Sequence, residues 1–429
     1  MDPNLLAVIG ILALFLLMFF RMPISFSMFI VGFVGLVIAA SPKAAYNVLS
    51  ADLWNQFSSY SLSVVPLYIL MGEIVFRTGI TEKMFDAAYK WVGHFRGGMA
   101  STTILASAGF ASICGSNSAT AATMGTMALP ELKKYKYDNA LSTGSIATGG
   151  TLGIIIPPST VLIVLALQME QSVKELFVAS IIPGIFLTGI LILTVIYLCR
   201  QNPELGPAGE KSSMKERLVS LKGVIPVAVL FVFVIGGLFI GIFTPTESGA
   251  FGAFGAILIS LVMRKMTKQN FLVAMAGTLR SSAMVLMLVV GAMVFGRFLT
   301  ITRLPYAVAE WVTNLSVPPV VILISILIIY VIGGSIMDAL GFLIISIPIF
   351  YPTVLALGYD PVWFAVILCV VTSMGAITPP VGVNAFIVQG LAKDVPITTV
   401  FKGSSYFLIG YVVFIALLIL FPGIILFNI

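Results

Sequence analysis

The stretch Gly149-Gly150-Thr151-Leu152-Gly153-Ile154-Ile155-Ile156-Pro157-Pro158 decides the fold, because its outline returns as Thr372-Ser373-Met374-Gly375-Ala376-Ile377-Thr378-Pro379-Pro380. Gly153, Pro157 and Pro158 stand 222 residues before Gly375, Pro379 and Pro380. The same offset carries Pro130 to Pro352, Asp138 to Asp360 and Pro23 to Pro245. Glycine and proline are common here, but a gapless match with a Pro-Pro pair inside apolar sequence is a poor candidate for coincidence. Two copies of one bundle in a membrane chain share a site between them, which is a transporter's layout.

Composition agrees with a membrane setting. Of 429 residues, 59% are hydrophobic and 9% charged, against about 25% charged in soluble domains. Leu5 to Phe20 lacks a basic lead-in and a small-residue cleavage site, so it is expected to be a retained helix rather than a signal peptide. The cysteines Cys114, Cys199 and Cys369 lie far apart in apolar sequence, which disfavours a disulfide framework. His94 is the single histidine, which leaves zinc chemistry without ligands. The net charge of +6 needs no nucleic acid to explain it.

Apolar segments between polar breaks predict spanning helices near 4–20, 22–40, 62–77, 139–168, 175–199, 223–243, 246–264, 279–298, 361–391 and 403–427. Residues 97–130 and 317–352 are too short for the ~40 residues plus a turn that two crossings need. Their centres are polar or glycine-rich, at Gly115-Ser116-Asn117-Ser118 and at Gly333-Gly334-Ser335 with Asp338. Both are expected to be re-entrant hairpins. If each hairpin returns to its own side, all but four of the 23 Lys and Arg residues fall on one face, the cytoplasmic one by the positive-inside rule. The four are Lys43, Lys174, Arg297 and Arg303. The expected fold is therefore an all-α polytopic membrane protein of two inverted-topology repeats, residues 1–200 and 223–429. Each holds a hairpin and a broken helix (139–168 and 361–391). Residues 201–222 read as a cytoplasmic linker and 41–63 as a loop on the other face. Thr81 to Gly93 and Leu304 to Thr313 read as interfacial amphipathic helices, each ending near a tryptophan.

Broken helices persist in lipid only where they line a cavity or bind something. Proline frees the carbonyl four residues earlier, and beside a glycine no side chain blocks an approaching ion. These carbonyls, with nearby hydroxyls, suit a hard cation such as Na⁺. One cation site is expected from Ser112, Ser116, Asn117, Gly149, Thr151 and Gly153. A second is expected from Gly334, Ser335, Met337, Asp338, Thr372 and Gly375. No Lys or Arg lies in the expected midplane, so an anionic substrate would be held by amides, hydroxyls, helix N-termini and bound cations. Ser116, Asn117, Ser118, Asp338 and Thr378 are the candidates. Asp338 stands out because a carboxylate at depth costs roughly 2.5–3.5 kcal/mol. Gly249, Gly252 and Gly255 read instead as a packing ridge. Glu73 and Glu247 are equally compatible with a site and with an interface. A Cys114–His94 enzyme dyad is disfavoured by its spacing, and a channel by the paired hairpins.

Gly115-Ser-Asn-Ser-Ala-Thr-Ala-Ala-Thr123, the Gly149–Pro158 break and Gly375-Ala-Ile-Thr-Pro-Pro-Val-Gly-Val383 together resemble the large membrane subunit of TRAP transporters, over essentially the whole chain. Their texture is most similar to the sialic-acid members. The resemblance implies a multi-pass protein of the bacterial inner membrane that imports a carboxylate with two or more Na⁺ ions, without an organic cofactor, by an elevator movement. It further implies a small four-helix membrane subunit and a periplasmic substrate-binding protein, for which sidedness makes Asp52, Arg297 and Arg303 the docking candidates. Distantly similar dicarboxylate symporters, which work as stand-alone Na⁺ carriers and give the alternative reading, place Ser-Asn-Thr at each hairpin tip. Ser116-Asn117-Ser118 matches the first tip with serine for threonine. Asp338-Ala339-Leu340 departs at the second, where carbonyls between Gly334 and Asp338 would replace side chains.

Overall fold

The computed structural model describes residues 2–77 and 79–427, and among them there is helix and no strand. The helices of the first half are α1 (Pro3–Phe19), α2 (Ile24–Ala39), α3 (Pro42–Phe57), α4 (Val64–Arg77), α5 (Ile80–Val92), α6 (Gly98–Cys114), α7 (Asn117–Lys134), α8 (Asn139–Ile155), α9 (Thr160–Gln168) and α10 (Val173–Gln201). A short α11 (Met214–Leu221) follows. Then come α12 (Ile225–Phe231), continued through a π turn into α13 (Gly237–Phe239), α14 (Pro245–Val262), α15 (Lys268–Ile301), α16 (Leu304–Thr313), α17 (Pro319–Ile336) and α18 (Ala339–Ala356). The chain closes with α19 (Pro361–Gly375), α20 (Val383–Leu391), α21 (Ile397–Leu420) and a final turn. Among the described residues, seven helices are long and apolar enough to cross a membrane, or nine if bent pairs count as one span each.

Local signals set many of the starts. Asp138 accepts the Leu141 amide at 3.0 Å to open α8, and Asp360 accepts the Trp363 amide at 2.9 Å to open α19. A carboxylate there satisfies an amide left free by the first turn and meets the positive end of the helix. Thr244 and Glu247 form a reciprocal capping box before α14, with Pro245 in its first turn. The elements themselves recur at the offset noted above: 222 residues separate Asn117, Asn139 and Thr160, at the starts of α7, α8 and α9, from Ala339, Pro361 and Gly382. The halves differ where α3 and α4 are broken around Ser58–Ser63 while α15 runs unbroken for 34 residues.

The core lies around α8 and α19. Every residue of α8 from Ala140 to Ile155 is buried, as is α19 from Val362 to Ser373. Small residues make this possible: α8 is rich in Gly, Ser, Thr and Ala, which let neighbouring backbones come close. The Ser373 hydroxyl donates to the Thr151 carbonyl at 3.4 Å, and those two residues are themselves 222 apart. Outward faces of α1, α12, α14 and α21 carry exposed Phe, Leu, Ile and Val, as a lipid-facing surface requires.

Several elements correct the sequence expectations. Residues 41–63, expected as a loop, hold α3, capped by Ser41 with Pro42 as its first residue. The expected linker 201–222 contains α11 and is bound to the rest of the chain: Gly97 N–H donates to Gly206 O at 2.9 Å and Asp138 N–H to Leu205 O at 3.0 Å. The hairpins run 98–134 and 319–356 rather than 97–130 and 317–352, because α7 continues through Pro130 and α18 through Pro348 and Pro352. The second turn is at Met337-Asp338, with Gly333-Gly334-Ser335 still helical in α17. α5 and α16 fall where the interfacial helices were expected, and α5 buries Met84, Phe85 and Ala88 while exposing Glu82, Lys83 and Asp86.

Candidate functional site

Each hairpin tip is fastened to the helix break of its own half. At the first tip Gly115 adopts φ +60°, and a Cβ there would stand 2.4 Å from the Pro158 carbonyl oxygen. Only glycine combines that conformation with so close an approach. Its carbonyl accepts the Thr160 amide at 3.1 Å and the Thr160 hydroxyl at 2.9 Å. From the other side of the break, a Cβ at Gly153 would lie 2.5 Å from Ser116 O. At the second tip the Ser335 carbonyl accepts the Val381 and Gly382 amides at 3.0 and 2.8 Å. A Cβ on Gly375 would lie 2.8 Å from the carbonyl carbon of Gly334. Both Pro-Pro peptides, at Pro157-Pro158 and Pro379-Pro380, are cis.

Between the tips and the outer helices lies a cavity of about 460 Å³, within the ~300–1,000 Å³ usual for small-molecule sites. Ser116, Asn117 and Ser118 line it from the first tip, Asp338 and Leu340 from the second, and Glu73 and Ser281 from α4 and α15. Asn117 is 5% exposed, and its amide nitrogen has no partner while its oxygen accepts from the Ser118 hydroxyl at 3.3 Å. A buried donor left open in this way is costly unless a ligand completes it. Asp338 caps α18, accepting the Leu340 amide at 3.1 Å. The N-termini of α7 and α18 thus begin at this cavity, and among the described residues its walls carry no Lys or Arg. Hydroxyls, an amide donor and helix ends can hold an anion. Carboxylate and carbonyl oxygens can hold a hard cation.

Of the residues expected to ligate, the structure brings Ser116, Asn117 and Gly153 together at one tip, and Gly334, Ser335, Met337, Asp338, Thr372 and Gly375 about the other. Ser112 and Gly149 stand apart. The Ser112 hydroxyl donates to Gly109 O at 2.6 Å and the residue faces Pro158 and Leu230. A Cβ on Gly149 would strike Ser107 Oγ, so this glycine seats α8 on α6. The hydroxyls of Ser335, Thr372 and Thr378 each donate to a backbone carbonyl three or four residues earlier, at 2.6–2.7 Å. Thr151 pairs with the Tyr411 hydroxyl. The hydroxyls of Ser112, Ser335, Thr372 and Thr378 each donate their single hydrogen and keep their oxygen lone pairs, so they remain available to a cation beside the backbone carbonyls and the side chains of Asn117 and Asp338.

Among the docking candidates, Arg297 grips Asp52 through two hydrogen bonds of 2.8 and 3.1 Å, tying α15 to α3. Arg303 is exposed at the start of α16. Two residues outside the expected sets matter. Glu73 reaches the cavity wall, pairs with Arg77 at 3.0 Å, and sits against Gly277, where a Cβ would be 2.7 Å from its carboxyl group. Its isolation in an apolar run was the available signal. Asn384, fully buried just after the second break, donates to Ala147 O at 3.1 Å and leaves its own oxygen without a partner. Cys114 also lines the cavity, but His94 contacts Phe95 and Arg217 instead.

A polytopic helical protein with polar hairpin tips around an internal cavity has the build of a membrane carrier. The family profile described as "Tripartite ATP-independent periplasmic transporter, DctM component" matches residues 11–424, and the chain belongs to this family as a large membrane subunit. It is 33% identical to a C4-dicarboxylate TRAP transporter large permease protein of Pseudomonas aeruginosa, over 90% of each chain. It is 29% identical to a sialic acid TRAP transporter large permease protein of Vibrio cholerae, over 95% of this chain and 94% of that one. To a 2,3-diketo-L-gulonate TRAP transporter large permease protein of Escherichia coli it is 33% identical, over 81% of each. The fold is similar to that of the YdaH transporter of Alcanivorax borkumensis, with a TM-score of 0.65 at 15% identity, covering 99% of this chain and 100% of that one. These relatives are permeases, and the chain is a transporter subunit rather than an enzyme.

Proposed function

We propose that this chain is the large subunit of a Na⁺-coupled, binding-protein-dependent importer of an organic acid in the bacterial inner membrane. The carrying observation is that polar residues of both hairpin tips line one cavity. Two inverted repeats, 1–200 and 223–429, would each send a re-entrant hairpin toward that cavity. The hairpins with α8, α9, α19 and α20 form the moving body, and the outer helices with α5 and α16 form the scaffold past which it slides as an elevator. Na⁺ binds first at the tips and breaks, which completes the site for a carboxylate that no Lys or Arg neutralises. Two Na⁺ ions moving inward across 100 mV supply about 4.6 kcal/mol, from ~2.3 per charge.

The partners in this reading are a small four-helix membrane subunit and a periplasmic binding protein that docks near Asp52, Arg297 and Arg303. Sialic acid is the specific substrate proposed. The names of similar proteins also include a C4-dicarboxylate and a diketogulonate, and all are carboxylates. Uptake into proteoliposomes tests the reading. Accumulation that requires an inward Na⁺ gradient, the small subunit and a binding protein is the expected result. Uptake by this chain alone would instead make it a self-sufficient symporter, and acid uptake indifferent to Na⁺ would remove the coupling.

A further inference from the structure

A second cavity, of about 380 Å³, opens away from the tips between α5, α6 and the α11–α12 turn. Its walls are apolar, with Met84, Ala87 and Trp91 from α5, Leu105 from α6, and Leu221 and Val224 at the turn. Here α11 bends 52° from the apolar helix that follows it, so α11 leans toward the membrane surface if that helix crosses. On α11, Met214, Leu218 and Leu221 fall at i, i+4 and i+7 and form one exposed stripe, with Met214 64% and Leu218 57% exposed. An apolar stripe facing outward beside basic residues is the pattern of a helix lying in the lipid interface.

Two lysines adjoin the lining of this cavity: Lys83 precedes Met84 and Lys222 follows Leu221. The stem of Lys83 lies over Gly223, where a Cβ would be 3.0–3.4 Å from its methylene carbons, and Lys222 immediately precedes that glycine. Both ammonium groups belong to exposed residues, and among the described residues neither takes part in an ion pair. The acids of α5, Glu82 and Asp86, line a different cavity with Tyr89 and Glu131. Glu216 on α11 is occupied as the partner of Ser213 in a capping box.

We propose that this cavity is a binding site for one anionic phospholipid, with an acyl chain between α5 and α6 and the phosphate head group on Lys83 and Lys222. Charge complementarity and the flanking apolar stripe select a lipid over a soluble anion, which would leave the cavity's walls wet. The site lies on the seam between α5 and the first arm of the hairpin, so the lipid would lubricate or hold that seam.

Native mass spectrometry of the purified full chain, titrated with phosphatidylglycerol and with phosphatidylcholine, tests this. The first phosphatidylglycerol should bind more tightly than phosphatidylcholine by roughly fivefold per lysine. Lys83→Gln with Lys222→Gln should erase that preference, and Ala87→Phe, which fills the cavity, should abolish binding of that first lipid. Equal affinity of the wild type for both lipids, or an unchanged phosphatidylglycerol preference in the double lysine variant, overturns the proposal. Since glutamine keeps the first side-chain carbons that pack on Gly223, the lysine variant decides the matter even if Ala87→Phe fails to fold.

Discussion

Asparagine in place of Asp338 is expected to reduce substrate uptake roughly 10- to 150-fold, the range that corresponds to losing a charged hydrogen-bonding contact of ~1.5–3 kcal/mol. The substitution isolates the charge. Asp338 caps α18 through the Leu340 amide, and asparagine caps a helix about as well as aspartate. The folded protein should therefore persist, with its thermal midpoint close to that of the wild type. Uptake should recover in part at high Na⁺, because the loss falls on ion affinity. Asp338→Ala would add a capping loss of about 1 kcal/mol, and the comparison separates the two roles. Wild-type uptake and wild-type Na⁺ dependence in Asp338→Asn would show that this carboxylate serves only α18.

Gly403→Val is expected to prevent folding altogether. A Cβ at Gly403 would stand 2.5 Å from the Ala140 carbonyl carbon and closer still to its oxygen, and one at Gly144 would stand 2.3 Å from the Gly403 carbonyl carbon. Here α8 and α21 touch backbone to backbone, so no side chain can turn aside. Overpacking among side chains costs typically 1–3 kcal/mol, and forcing two buried helices apart should exceed that. The expected readout is loss of monodisperse protein on size-exclusion chromatography. Gly189→Ala on α10 is the control: nothing lies within 4 Å of its Cβ, and alanine favours helix by about 1 kcal/mol over glycine. A well-folded Gly403→Val protein would mean that α8 and α21 are not so close.

How legible the fold was in the sequence depended on which physical signal dominated locally. Gly115 and the Gly153 and Gly375 breaks were legible because backbone contact there admits no side chain. Asp138 and Asp360 were legible as a pair at the 222-residue offset, and the structure shows each capping a helix. By contrast, α3 carries Lys43, Asp52 and Asn47 among its apolar residues, so hydropathy alone concealed it. Proline also misled. Pro130 and Pro352 stood at the expected hairpin ends, yet α7 and α18 run through them. Local preference yields where packing holds both flanks in register. For the site, polar residue types near the breaks drew attention to Ser112, Thr372 and Thr378. Sequence could not reveal that each of their hydroxyls donates to a carbonyl three or four residues earlier, which leaves only its oxygen lone pairs for an ion. Nor could it bring Glu73, far from both breaks, to the same cavity as Asn117 and Asp338. The pairing of Asp52 with Arg297 joins positions 245 residues apart, beyond any local pattern.

The central claim is that both hairpin tips belong to one substrate site, and thiol protection measures it most directly. In a background with Cys114, Cys199 and Cys369 replaced by alanine, a single cysteine is placed at Ala122 or at Leu340, cavity-lining positions on opposite hairpins. Labelling rates are then compared with and without Na⁺ and the carried acid. The account predicts that ion and acid together slow labelling at both positions. Protection at one position with the other unaffected would contradict it.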